Sequence, residues 1–106
     1  MRADEEKVSA MRVLLRATMD TEKSNEALRS GKMSELLTEI LDHIKPEAAY
    51  FGPLGGRRTA LLVLDMKDSS EVPAVGEPFL THFNAELEIT PIMNGEDLQK
   101  GLGQMR

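Results

Sequence analysis

Cysteine is absent from this chain of 106 residues, and so is tryptophan. Without cysteine there is no disulfide framework, no thiolate zinc site and no cysteine nucleophile. Aromatics are scarce: Tyr50, Phe51, Phe79 and Phe83 are the whole set. Leu, Ile, Val and seven Met must fill the core, and Met suits irregular packing and apolar ligands alike. No apolar run approaches the ~20 residues that span a bilayer. The opening residues Met1 to Glu6 lack the apolar stretch of a secretion signal. The expectation is a cytoplasmic protein with no membrane partner. Positive charge is also in deficit, with a net charge of −5. With no basic stripe to offset that repulsion, nucleic acid is not an expected partner. Two His far apart and scattered carboxylates give no metal-ligand spacing, and nothing in the chain implies a cofactor.

What is present is an ordinary globular balance, 41% hydrophobic and 29% charged. The length fits one domain with a modest core. Residues 1–10 are polar and aperiodic and read as a flexible arm, leaving residues 11–106 as a single domain. From Met11 to Met19 the period is two. Val13, Leu15, Ala17 and Met19 share one face, and Arg12, Leu14, Arg16 and Thr18 the other. Asp20-Thr21 opens a short helical turn to Ser30, which Gly31 interrupts. Met33, Leu36, Leu37, Ile40, Leu41 and Ile44 then recur at helical spacing, and Pro46 ends that helix at Lys45.

Ala48 to Leu54 reads as a strand that Gly52-Pro53 confines to an edge or a bulge. Gly55-Gly56 is a hairpin turn, and Thr59 to Met66 is apolar on both faces, as in a central strand. Asp68-Ser69-Ser70 caps a helix over 70–83 that Gly76 and Pro78 should break or kink. Residues 85–93 alternate as a fourth strand, and Asn94 caps a terminal helix over 95–102. The order β-α-β-β-α-β is the split βαβ, or ferredoxin-like, arrangement of an α+β fold. Its four-stranded antiparallel sheet carries the helices on one face. The bare face, apolar along the third strand, calls for a partner, and a second copy packed sheet to sheet is the expected one.

The pattern resembles the dimeric α+β barrel superfamily. Leu62-Val63-Leu64-Asp65-Met66 through Ser70, Pro78-Phe79 and Glu86-Leu87-Glu88 look like the small muconolactone-isomerase-like proteins. Lys45-Pro46-Glu47-Ala48-Ala49-Tyr50-Phe51 looks more like small uncharacterised bacterial proteins of that fold. The superfamily holds cofactor-free monooxygenases, isomerases, haem-degrading enzymes and proteins without known activity, so the resemblance implies an architecture and leaves the chemistry open.

Candidate site residues follow from the strands. Arg16 on the first strand should face Glu86 or Glu88 on the fourth, as a polar island that orients a small polar or anionic ligand, or as a plain cross-strand salt bridge. Tyr50 is placed to offer its hydroxyl to a cleft, or simply to pack at the sheet edge. Asp65, at the end of an apolar strand, is a candidate base, or a carboxylate that only meets solvent. His82 and His43 lie near helix ends, where cations complement the dipole. His82 is the better candidate general base, because it follows the expected helix break. Gly55-Gly56-Arg57-Arg58 lacks the Gly-Lys-Ser/Thr ending of a phosphate loop and precedes a strand, so it reads as a hairpin with two exposed arginines. No Gly-x-Ser-x-Gly elbow is present. Two functions stay open: a homodimeric module that binds a small molecule or another protein, and a cofactor-independent isomerase or monooxygenase acting on a small, partly apolar substrate.

Overall fold

The computed structural model describes residues 11–105; the arm expected over residues 1–10 lies outside them. The elements are β1 (Met11–Thr18), α1 (Thr21–Arg29), α2 (Met33–Ile44), β2 (Ala48–Leu54), β3 (Arg57–Met66), a 3₁₀ turn (Ser69–Glu71), α3 (Val72–Phe83), β4 (Glu86–Pro91) and α4 (Gly95–Gly103). The strands form one antiparallel sheet in the order β2-β3-β1-β4. This is the ferredoxin-like α+β arrangement. No helix among the described residues is long and apolar enough to cross a membrane.

Alternation decides which side of the sheet is filled. Val13, Leu15, Ala17 and Met19 of the first strand segment are buried, as are Ala60, Leu62, Leu64 and Met66 on β3. Phe79 and Phe83 on α3 and Ile40 on α2 close over them, and Met33, Leu36, Leu37, Leu41 and Ile44 pack at the margin. The α2 stripe therefore lies where its spacing puts it. Its end is set by Lys45, left-handed at φ 54°, whose N–H donates to the Leu41 carbonyl at 2.8 Å. The hairpin turn needs two positive φ values, and Gly55 and Gly56 supply them at 64° and 80°. β2, with its Gly-Pro pair, is an edge strand paired without a bulge from Ala48 to Leu54.

Asp20 caps α1, its carboxylate accepting from the Lys23 N–H at 3.0 Å. Asp20→Ala should lower stability by about 1 kcal/mol, within the usual 0.5–2 range for a lost cap, as read from the midpoint of a urea titration.

Two expectations for α3 are corrected. Asp68 makes no side-chain cap bond. Instead the Ser70 hydroxyl donates to the Asp68 carboxylate at 2.6 Å, and the Glu71 carboxylate accepts from the Lys67 N–H at 3.1 Å. These local bonds shape the 3₁₀ turn, and the α-helix begins only at Val72. Nor does the helix break. Pro78 sits inside it and removes one intrahelical bond to the Ala74 carbonyl, but Ala74 is on the exposed side, where water can replace the donor. Gly76 has a packing reason: a Cβ there would meet the Leu87 Cδ1 at 2.9 Å. Glycine lets α3 lie close upon β4.

Candidate functional site

The uncovered face of the sheet is built in transverse rows. One row runs Tyr50–Leu61–Arg16–Glu88 across β2, β3, β1 and β4. The next runs Ala48–Val63–Leu14–Thr90, and on the other side lies Gly52–Thr59–Thr18–Glu86. Three of the four candidate binding residues thus fall in one row by register alone. Arg16 Nη2 meets Glu88 Oε1 at 2.6 Å. Leu14, Arg16, Leu54, Leu61, Glu88 and Thr90 line a shallow cavity of about 280 Å³ there. Tyr50, 65% exposed, stands two strand spacings from Arg16, about 10 Å away.

Glu86 does not join this pair. It binds Arg57, Nη1 to Oε2 at 3.4 Å, so that ion pair reaches across β1. The two hairpin arginines are accordingly not free in solvent; both are half-buried. Arg57 Nη2 also donates to the Met19 carbonyl at 3.3 Å. Arg58 Nη1 donates to the Ser24 hydroxyl at 2.7 Å and to Asn25 Oδ1 at 2.9 Å. The dipeptide ties the hairpin to β4 on one side and to α1 on the other. Its role was hidden in the sequence, because every one of these partners lies far away along the chain.

At one end of the face Arg12 gathers Glu47 (3.2 Å) and Asp97 (3.5 Å), and Asp65 stands opposite it in register. The guanidinium is held above its usual range, first by its hydrogen bond with Glu47, then by the Glu47, Asp97 and Asp65 charges against a burial cost. With a raised folded value, what this cluster contributes is fully present below the ordinary guanidinium range. It is lost only as pH rises through the raised value, far above neutrality.

The candidate catalytic residues are not brought together. Asp65 is exposed and lies four residues along β3 from the Arg16 row, about 13 Å. It borders a separate hollow at the sheet end with Ile44, Lys45, Glu47 and Glu71. His82 belongs to the helix layer. It lines a broad surface groove of about 770 Å³ with Lys23, Glu26, Arg29 and Lys32. Among the described residues no three His, Asp or Glu side chains form a metal-ligating group. What the Arg16 row can do is orient: a guanidinium and a carboxylate lie side by side, with leucines around them and a phenol near by.

Arg16 and Glu88 are half exposed or more, so as a structural link alone the pair stabilises by less than about 1 kcal/mol. Arg16→Ala should leave the thermal unfolding profile nearly unmoved, a result that separates a binding role from a folding role.

The chain matches no protein-family model, and neither the curated proteins nor the solved structures contain a significant match to it.

Proposed function

We propose that the chain is a homodimeric α+β barrel protein that holds a small molecule between two facing sheets. This is the architecture of the superfamily its sequence resembles. The observation that carries the reading is the uncovered sheet face, where Leu14, Leu54, Leu61 and Thr90 line the cavity at the Arg16–Glu88 pair and Tyr50 and Val63 share the face by register. Charge supports a second copy as the occupant. A two-fold contact sets like surfaces against each other, and here each arginine on the face already has a carboxylate of its own chain: Arg12, Arg16 and Arg57 are all paired.

Area points the same way. Four strands of about eight residues give a flat footprint of roughly 500 Å², short of the ~800 Å² per partner of a standard interface. α4 offers further apolar surface. It has no buried residue, and Leu98 and Leu102, one turn apart, are 42% and 50% exposed. Its cap is well made, with Asp97 N–H donating to Asn94 Oδ1 at 2.7 Å and Asn94 N–H to Asp97 Oδ2 at 3.2 Å. A helix of nine residues is marginal in water without a packed face. A partner's surface would provide one.

The ligand class that suits the cavity is a small, partly apolar molecule with one polar or anionic group for Arg16. A cytoplasmic setting belongs to the same proposal and rests on a chain without cysteine. Native mass spectrometry of protein purified gently from its own host tests the reading. A dimer carrying a small added mass is expected, with that mass lost from Arg16→Ala. An Arg16→Ala dimer that keeps the full added mass would contradict the site.

A further inference from the structure

Phe51 is on the inward side of β2, in the row Phe51–Ala60–Ala17–Leu87. Its neighbours in that row, Ala60 and Ala17, are fully buried, yet Phe51 remains 49% exposed. The helix layer stops short of the edge strand. The space left over is a cleft of about 340 Å³, walled by Met19, Leu28, Met33, Leu37, Phe51 and Arg58. That volume falls at the lower end of small-ligand sites, which run from about 300 to 1,000 Å³. Two of the walls are methionine, a side chain that adapts to the shape of an apolar guest. Leu28, at the end of α1, is half exposed beside it.

One wall is a cation. Arg58 is held by the buried Ser24 hydroxyl and by Asn25, both neutral. Among the described residues no carboxylate lies within ion-pair distance of it, whereas the arginines of the open face each have one. Nη1 makes both of those bonds, which leaves the Nε and Nη2 donors of an otherwise unpaired cation for an anion, and a carboxylate matches that fork. An apolar cleft with one such cation at its wall recognises a small amphiphile: an apolar body against Met33, Leu37 and Phe51, and an anionic head on Arg58.

We infer that this cleft between α1, α2 and β2 is a binding site for a small carboxylate with an apolar tail. The site lies in the helix layer, on the other side of the sheet from the Arg16 row, and does not depend on the dimer reading.

The test is a titration of the full-length protein with decanoate, followed by ¹H–¹⁵N NMR, with decyltrimethylammonium as the cationic control, both below micelle formation. Saturable shifts at Leu28, Met33, Leu37, Phe51 and Gly52 are expected with decanoate and not with the control. Arg58→Met keeps the apolar stem and should weaken binding at least 10-fold. Because Arg58 also anchors α1, Leu28→Glu serves as the second variant; it places a negative charge at an exposed wall and should weaken decanoate at least 10-fold with the fold intact. The inference is overturned if decanoate gives no saturable shifts in the cleft, if the ammonium binds equally well, or if Leu28→Glu binds as the parent does. Decanoate shifts confined to Leu14, Leu61 and Glu88 would overturn it too, and would instead support the open-face site.

Discussion

Phe79→Ala is expected to lower stability by about 3–5 kcal/mol, the range for truncating a buried phenylalanine. Phe79 is fully buried and stands where α3 meets the sheet, one turn from Gly76, which lies against the Leu87 side chain. Its carbonyl also accepts from the Ala85 N–H at 3.3 Å, so the backbone at that point links the helix to the strand that follows. A domain of this size has total stability of about 5–15 kcal/mol, so the loss is a large share of it. Urea unfolding should show the midpoint falling with the slope nearly unchanged. A change under about 1 kcal/mol would mean that α3 is not fixed to the sheet as described.

The second large effect is on assembly. Leu61 sits in the middle of the uncovered face, between Tyr50 and Arg16. Leu61→Asp puts a carboxylate into the proposed contact, and the two-fold axis makes it appear twice. The dimer should weaken at least 100-fold, equivalent to about 2.7 kcal/mol, because two charges lose water without gaining partners. The fold of each protomer should survive, since the side chain lies outside the core cluster. Sedimentation across a concentration series reads the first effect and circular dichroism the second. An unchanged association constant would place any contact elsewhere on the chain.

The parts of the fold that were legible in the sequence are those governed by local period. Val13 to Met19 alternates and the stripe from Met33 to Ile44 steps by three and four, so both faces could be read directly. Facing Arg16 with an acidic residue of the fourth strand, Glu86 or Glu88, followed from strand order, which the β-α-β-β-α-β pattern implies. The illegible parts depend on distant or opposing terms. Pro78 and Gly76 weaken a helix by propensity, but tertiary packing of Phe79 and Phe83 keeps α3 whole, and Gly76 allows its close approach to β4. Glu86 and Glu88 are equivalent by period, yet only the register separates them, giving Glu88 to Arg16 and Glu86 to Arg57. The work of Arg58 could not be read at all, because Ser24 and Asn25 reach it only after α1 has folded back on the hairpin. His82 after an expected helix break and Asp65 at the end of an apolar strand are candidates by type and local position, and neither property brings residues into one cavity; the structure puts them on different layers.

The uncovered sheet face is proposed to meet its copy in a second chain. Native mass spectrometry of the intact protein at micromolar concentration tests it most directly. A species of twice the chain mass is expected, falling to the single chain with Leu61→Asp. A single-chain mass for the parent protein across the concentration range would contradict it.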